Sequence, residues 1–205
     1  MDSSKEIIQF YDAFADNYDA TVLKGKDYTA FEKIPFWLLD TFPNEKLHIL
    51  DLGCGTGLGS RPFIQAGHSV TGMDISSQMI EQAGRLAYHQ LICQSLEEPL
   101  PLGDALFDGT LLLGVMEFIQ NPENLFQEVN RVLKQNGLFG LTIPKKLALE
   151  QEENLSILTC DLEKIESLFF EAGFSILKKE DFQGFIYNEE VVPYRGYLLR
   201  KNSLK

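Results

Sequence analysis

The stretch ILDLGCGTG, residues 49–57, constrains the fold of this 205-residue chain more than any other segment. Apolar residues surround Asp51, and glycines follow at positions 53, 55 and 57. This pattern predicts a buried strand that ends in a tight turn, because glycine adopts backbone conformations that a Cβ atom disfavours and lets a ligand approach closely. Taken alone, the pattern fits a plain turn between a strand and a helix equally well.

The rest of the chain repeats a strand–helix order. Strands are predicted at 47–52, 69–75, 89–95, 106–115 and 138–144, and helices at 58–67, 77–87 and 121–133. This order predicts a doubly wound α/β fold, in which helices cover both faces of a parallel sheet. The order changes after residue 160, where a helix (161–173) precedes two strand-like runs (174–182 and 194–201). The two runs predict an antiparallel pair at one edge of the sheet.

The length favours a single domain, 1–205, with three parts. Residues 1–45 show helical periodicity, and the family resemblance described below implies that they form a helical cap over a cofactor or substrate. Residues 46–145 form the predicted cofactor-binding core, and residues 146–205 supply the last helix and the strand pair. The acidic segment 147–160 is expected to be a loop or a short helix.

Two acidic residues indicate which ligand the glycine turn holds. Asp74 ends the second strand, where a carboxylate accepts hydrogen bonds from both hydroxyls of a ribose. A nicotinamide cofactor and S-adenosylmethionine both carry a ribose, so Asp74 does not separate them. Asp51 does, because it would repel a pyrophosphate at 4 Å by roughly 1 to 4 kcal/mol but would attract the ammonium of S-adenosylmethionine. The start of the following helix would suit the carboxylate of that ligand.

Three segments resemble class I S-adenosylmethionine-dependent methyltransferases, over about residues 5–145. ILDLGCGTG resembles their first motif, GMDIS (72–76) resembles their second, and residues 100–144 are similar to their fourth-to-fifth-strand block. The likeness is to the type 11 methyltransferases, and YHQLICQSLEEPLP (88–101) is also similar to the Williams–Beuren-region methyltransferase-like proteins. The resemblance implies a Rossmann-like, seven-stranded, mostly parallel sheet of order 3-2-1-4-5-7-6.

The resemblance also implies S-adenosyl-L-methionine as the cofactor and assigns a set of residues to it. Tyr18, with Tyr11, would cover the methionine end, although core packing explains these tyrosines equally well. Met79 would touch the adenine, or would simply pack in the core, and the transferred methyl would point towards Gly114 and Val115. The predicted cofactor-binding residues are Tyr11, Tyr18, Asp51, Gly53, Cys54, Gly55, Gly57, Asp74, Ile75, Met79, Ser95, Leu96, Gly114 and Val115.

Two positions depart from the family pattern. Ser95 stands where relatives often carry the Asp that binds the adenine amino group, although the Leu96 N–H could still address the ring. Glu117-Phe118 replaces a common Glu-His pair, so a histidine relay is absent there. Glu117 remains the candidate catalytic residue, and a solvated loop acid is an equal alternative. These features favour catalysis by positioning and desolvation, with an acceptor that arrives already nucleophilic, such as a carboxylate, amine or phenolate.

Composition narrows the partners. The net charge of −12 argues against nucleic-acid binding, so a small-molecule methyl acceptor is expected. Three unpaired cysteines predict neither a disulfide framework nor a metal site. No apolar run suggests a membrane span, and no signal segment is evident, which predicts a cytoplasmic protein. The oligomeric state, monomer or dimer, stays open.

Two alternative functions remain. One is a catalytically silent cofactor-binding module that serves a protein partner, and the other is a nicotinamide-dependent oxidoreductase.

Overall fold

The computed structural model describes residues 3–25, 29–42, 45–145, 161–187 and 190–203. Within these ranges the strands are β1 His48–Leu52, β2 Ser69–Asp74, β3 Gln90–Cys93, β4 Phe107–Leu112, β5 Leu133–Pro144, β6 Phe174–Tyr187 and β7 Glu190–Lys201. The helices are α1 Ser3–Phe14, α2 Tyr18–Gly25, α3 Ala30–Thr41, α4 Arg61–Gln65, α5 Ser77–Ala83, α6 Pro122–Val132 and α7 Leu162–Glu171. Short 3₁₀ turns lie at Ala15–Asn17 and Met116–Phe118.

The strands form one seven-stranded sheet in the order β3-β2-β1-β4-β5-β7-β6, as predicted. β1 pairs in parallel with both β2 and β4, and β7 pairs antiparallel with both β5 and β6. Because β1 to β4 run parallel, their carboxyl ends meet at one edge, where an α/β sheet binds its ligands. The fold-class prediction, including the antiparallel edge pair, is confirmed.

Apolar clusters fill both faces of the sheet. On one face, Phe126 of α6 and Phe169 of α7 pack with their ring centroids 5.1 Å apart, and both are fully buried. On the other face, Ile34 and Leu38 of α3 pack against Gly140 of β5, where an added Cβ would lie 2.5 Å from Ile34. Strands covered on both faces explain the nearly continuous apolar runs in the sequence.

Several predicted boundaries need correction. The helix expected from residue 58 begins only at Arg61 and has five residues, because the turn around Gly57 and Gly59 delays it. The strand expected at 89–95 covers only Gln90–Cys93. The predicted N-terminal helical region is interrupted by the 3₁₀ turn at Ala15–Asn17. The acidic segment 147–160 lies outside the described residues, so the prediction of a loop or short helix there stays a prediction.

Helices in the described parts of the chain are too short to cross a bilayer.

Candidate active site

A cleft of about 780 Å³, measured with its open mouth, lies beyond the carboxyl ends of the parallel strands. The turns after β1, β2, β3 and β4 form its floor, and the first two helices form one wall. Eleven of the fourteen predicted cofactor-binding residues line this cleft: Tyr11, Tyr18, Gly53, Gly55, Asp74, Ile75, Met79, Ser95, Leu96, Gly114 and Val115. Asp51, Cys54 and Gly57 do not line it.

The glycine turn has a left-handed backbone at all three predicted glycines. Gly53, Gly55 and Gly57 have φ values of +68°, +52° and +94°. A Cβ on Gly55 would have its nearest neighbour, Tyr18 Cε1, 4.0 Å away, so Gly55 borders open space in the cleft. A Cβ on Gly53 would lie 2.4 Å from Val115 Cγ2, which explains that glycine by packing against the turn after β4.

Gly57 is explained by packing against side chains that do not line the cleft. A Cβ there would lie 2.6 Å from Leu86 Cδ1 and 2.9 Å from the Tyr88 hydroxyl, on the side away from the cleft. The Cys54 N–H donates a 2.9 Å hydrogen bond to the Met73 carbonyl, which ties the turn to β2. The third glycine therefore lets the turn pack against the segment that precedes β3.

Asp74 is fixed by the backbone around it. Its Oδ2 accepts a 2.8 Å hydrogen bond from Gly55 N, and its Oδ1 accepts a 2.9 Å hydrogen bond from Ser76 N. The residue is 9% exposed, and burial raises the pKa of its carboxyl while the backbone donors oppose that rise. Each carboxylate oxygen has lone pairs left, so Asp74 can accept two further hydrogen bonds from the cleft.

Asp51 lies in a neighbouring recess of about 360 Å³ that also has Cys54 and Phe31 in its wall. The recess shares Tyr18 and Gly55 with the main cleft, so the two cavities adjoin. Asp51 is 2% exposed, and Ser60 Oγ donates a 2.6 Å hydrogen bond to it. Burial raises the pKa of the Asp51 carboxyl to about 7, which leaves this acid partly protonated near neutral pH.

Aromatic side chains close the mouth of the cleft. The Tyr11 and Tyr18 ring centroids lie 6.4 Å apart, despite the 3₁₀ turn between their helices. Phe118 meets Tyr11 edge-to-face at 5.9 Å, at the position where relatives often carry histidine. Burial, followed by the charges of Asp74 and Glu117, raises the pKa of Tyr18 far above its ordinary value. Tyr18 therefore stays a neutral hydroxyl in the cleft wall.

Three aspartates, which sequence reasoning missed, attach the first two helices to the sheet core. Asp12 Oδ1 accepts from Ser76 Oγ at 2.6 Å, and Asp16 Oδ1 accepts from Gln82 Nε2 at 2.6 Å. Asp19 accepts from Thr56 Oγ1 and from Arg61 Nη2, each at 2.5 Å. The available signal was the spacing of 12, 16 and 19, which places three acids on one side of a segment that also carries apolar residues.

The turn after β3 also holds a carboxylate that the sequence analysis did not select. Ser95 Oγ accepts from Glu97 N at 3.2 Å, so the hydroxyl at the expected adenine position is used to shape its own turn. Glu97 Oε1 accepts from Gln120 N at 2.7 Å, and its Oε2 accepts from Asn121 Nδ2 at 2.8 Å. Glu97 therefore joins two walls of the cleft, and Glu97 itself also lines the cavity.

Glu117, the candidate catalytic residue, is buried and does not line the cleft. It is 7% exposed, so the alternative of a solvated loop acid is wrong. The Tyr194 hydroxyl donates a 2.7 Å hydrogen bond to Glu117 Oε1 and is itself buried. This pair links the turn after β4 to β7, which the sequence could not reveal because the residues are 77 positions apart.

Comparisons with known proteins agree with this arrangement. The family described as "Methyltransferase domain" matches residues 50–141. Methyltransferase-like protein 27 of Homo sapiens is 33% identical over 144 residues, which cover 66% of this chain and 56% of that protein. The mitochondrial ubiquinone biosynthesis O-methyltransferase of Rattus norvegicus is 30% identical over 182 residues, which cover 76% of this chain and 50% of that protein. The chain thus spans about half the length of these curated relatives.

The solved structure of magnesium protoporphyrin IX methyltransferase from Synechocystis PCC 6803, with bound S-adenosylhomocysteine, has the same fold. It superposes with a TM-score of 0.76 at 18% identity, over 98% of this chain and all of that one (100%). The family match over residues 50–141 and the curated relatives support the interpretation of this fold and cleft as those of a class I S-adenosylmethionine-dependent methyltransferase. Its cofactor is accordingly S-adenosyl-L-methionine, and the fixed Asp74 carboxylate beside the open Gly55 backbone fits the ribose of that molecule.

Proposed function

We propose that this chain transfers a methyl group from S-adenosylmethionine to an oxygen or nitrogen atom of a small-molecule acceptor. The observation that carries the proposal is the Asp74 carboxylate, held by Gly55 N and Ser76 N at the floor of the cleft. Two backbone donors fix its direction, so its remaining lone pairs are available for the two hydroxyls of a ribose.

The other predicted residues have compatible positions for a cofactor. Ile75 and Met79 border the cleft next to Asp74, where they would pack against the adenine, and Leu96 N–H would address the ring edge. At the opposite end, Asp51 would attract the ammonium, directly or through water, from the adjoining recess. Cys54 lies in that same recess, and Gly57 acts only by supporting the turn.

Catalysis in this site would rest on position and exclusion of water. A bound sulfonium supplies an activated methyl group, and the protein has to align the acceptor atom with it. Tyr11, Tyr18 and Phe118 close one side of the cleft with rings, while Gly114 and Val115 border the other side. Holding two reactants in line contributes on the order of 7 to 11 kcal/mol to lowering a barrier, and the apolar wall excludes competing water.

The charge of the cleft favours an amine or a phenol as the acceptor. Among the described residues that line it, Asp74 and Glu97 are acidic, and none is Lys or Arg. A carboxylate acceptor, which the sequence had left open, would enter a cavity with acidic side chains and would have only the sulfonium of the cofactor to balance its charge. A basic or neutral planar molecule fits the Tyr11–Phe118 wall better. Absence of nucleic-acid binding and a cytoplasmic location stay predictions.

Two measurements test the proposed function. Calorimetric titration should detect binding of S-adenosylmethionine and S-adenosylhomocysteine, and no binding of NADH. Asp74→Ala should weaken cofactor binding by about 1 to 3 kcal/mol, the usual range for hydrogen bonds to a charged group. Unchanged affinity would remove Asp74 from the ribose site.

A screen of amines and phenols for formation of S-adenosylhomocysteine then tests the methyl transfer itself. Cofactor binding without product for any acceptor would favour the silent module instead, whereas binding of NADH in preference to S-adenosylmethionine would favour the oxidoreductase.

A further inference from the structure

We propose that Asp12 is a positioning residue for the cofactor ribose, acting through Ser76 on Asp74. The inference rests on the proposed function, because it assigns the ribose to Asp74. It adds a residue from α1 that does not itself line the cleft to the apparatus that holds the cofactor.

Ser76 connects the two aspartates through different atoms. Its backbone N–H donates to Asp74 Oδ1 at 2.9 Å, and its hydroxyl donates to Asp12 Oδ1 at 2.6 Å. The same hydroxyl accepts from Met79 N at 3.1 Å, as the N-cap of α5. Asp12 Oδ1 also accepts from Gln78 N at 3.2 Å. Ser76 is fully buried, so these protein groups, rather than bulk solvent, determine the direction of its hydroxyl.

The Ser76 hydroxyl donates to Asp12, while its backbone N–H donates to Asp74. A serine hydroxyl carries one proton, and here that proton goes to Asp12, which leaves the Asp74 lone pairs that face the cleft unoccupied. When position 12 carries a weaker, uncharged acceptor, we expect the hydroxyl to turn towards Asp74 and to occupy a lone pair that the ribose needs. The loss would then appear at the ribose, although the substitution is made on α1.

The same connection couples the cofactor to the closure of the N-terminal helices. Asp12 follows Tyr11, which lines the cleft, and both belong to α1. A ribose that holds Asp74 in place favours the Ser76 geometry that binds Asp12, and a bound Asp12 favours the ribose in return. Cofactor binding should therefore protect α1 from local opening, and this protection should depend on Asp12.

Asp12→Asn is the direct test, and Asp16→Asn is its matched control. Both variants remove one negative charge from the same segment, but Asp16 contacts the side chain of Gln82, which is one to two turns further along α5. Calorimetry with S-adenosylhomocysteine should show about tenfold weaker binding for Asp12→Asn, because a neutral amide oxygen holds the Ser76 hydroxyl less strongly than a carboxylate does. Asp16→Asn should stay within about twofold of wild type.

Hydrogen exchange supplies a readout that a merely structural role would not change. In wild type and Asp16→Asn, S-adenosylhomocysteine should slow exchange in residues 3–14 and in the turn 53–59. In Asp12→Asn, at ligand concentrations that saturate the site, protection should persist in the turn and be lost in residues 3–14. Equal protection of residues 3–14 in the two variants would overturn the proposal.

A double-mutant cycle keeps the test decisive if one variant folds poorly. Adding Asp12→Asn to Ser76→Ala should cost little S-adenosylhomocysteine affinity, because without the Ser76 hydroxyl no group turns towards Asp74 when Asp12 is changed. Fully additive losses in this cycle would overturn the role of Ser76. If the wild-type protein bound no S-adenosylhomocysteine at all, the proposed function itself would fail, and this outcome is distinct from equal behaviour of the two aspartate variants.

Discussion

The two halves of the sheet hold their acidic groups in opposite ways. Beside β1 and β2, Asp51 and Asp74 are buried, and burial raises the pKa of both carboxyls. On the β6–β7 pair, Asp181 lies at the surface between Arg195 and Lys145, and the hydrogen bond from Arg195 lowers its pKa. The half with β1 and β2 therefore places acidic groups where they do not stabilise the free protein. The half with β6 and β7 pairs its acid with cations.

This difference identifies which half is built for a ligand. A buried carboxylate without a paired cation costs stability in the free protein, and a cationic or hydroxyl-rich ligand can recover that cost. The left-handed glycines at 53, 55 and 57 are concentrated in the same half. The usual pairing of charges is broken where the cleft lies and is kept in the strand pair, as expected when a functional site is placed ahead of stability.

The largest effect should come from Gly53→Ala. Its Cβ would lie 2.4 Å from Val115 Cγ2 on a backbone with φ of +68°, so overpacking adds to conformational strain. We expect a loss of about 2 to 5 kcal/mol in the free energy of unfolding, measured by urea denaturation. Gly55→Ala is the control, since its Cβ would meet nothing closer than Tyr18 Cε1 at 4.0 Å.

The control should lose only the strain, about 1 to 2 kcal/mol, but should lose much of its cofactor affinity because the new methyl group borders the cleft. If Gly53→Ala were as stable as Gly55→Ala, packing against Val115 would not be the reason for the first glycine.

Asp51→Asn should make the protein more stable at the expense of its function. The folded pKa is about 7, well above the ordinary value for an aspartate, so between the two pKa values the folded state keeps a proton that the unfolded state has released. Asp51 therefore contributes fully to the free energy of unfolding below pH 4, and this contribution is lost as the pH rises through 7. At pH 8 the Asn variant should therefore exceed wild type by about 2 to 4 kcal/mol, with weaker cofactor binding.

Denaturation curves from pH 5 to 8 measure this difference. The gap between the variant and wild type should widen as the pH rises, and a constant gap would contradict a raised pKa at Asp51. Ser60→Ala sharpens the test, because loss of the 2.6 Å hydrogen bond to the carboxylate should move the pH dependence to higher pH.

Tyr194→Phe should have an intermediate effect at the boundary between the halves. The variant removes the hydroxyl that donates to Glu117 at 2.7 Å in a buried position, which should cost about 1 to 3 kcal/mol. Tyr197→Phe is a matched change on the same strand: its hydroxyl donates at 2.8 Å to Glu166, which also accepts from Lys179. Tyr197→Phe should cost less than about 1 kcal/mol. Equal losses of stability for the two variants in thermal unfolding would contradict the expected difference between these two hydroxyls.

The comparison also shows what the sequence could reveal. The glycine turn, Asp74 and the alternation of strands and helices follow from local patterns, because a strand, its turn and the next helix specify one another over few residues. The order of the strands in the sheet came from the family resemblance. Tyr11 and Tyr18 lie close together, although the helix between them breaks. The extent of α4 was wrong because glycines at 57 and 59 extend the turn to Ser60.

The rest of the site depends on contacts between distant residues. Asp12 meets Ser76 across 64 positions, and Glu117 meets Tyr194 across 77. Single-sequence patterns indicate that an acid exists, but the folded chain alone decides whether it faces solvent, a serine or a tyrosine. For this reason the sequence did not identify Glu97 as a site residue, although Ser95, two positions before it in the chain, was predicted to bind the cofactor.

Asp181→Asn should have the smallest effect and completes the contrast with Asp51. The ion pairs with Arg195 and Lys145 stabilise the folded state above the ordinary pKa of an aspartate and lose that contribution as the pH falls through the lowered value. The Asp181 side chain is 40% exposed, so water and salt screen these pairs. We expect a loss below about 1 kcal/mol at pH 7 that disappears in about 1 M salt. A loss as large as the change at Asp51, or one insensitive to salt, would mean that charge on the strand pair is as consequential as charge in the cleft, and the contrast between the halves would not hold.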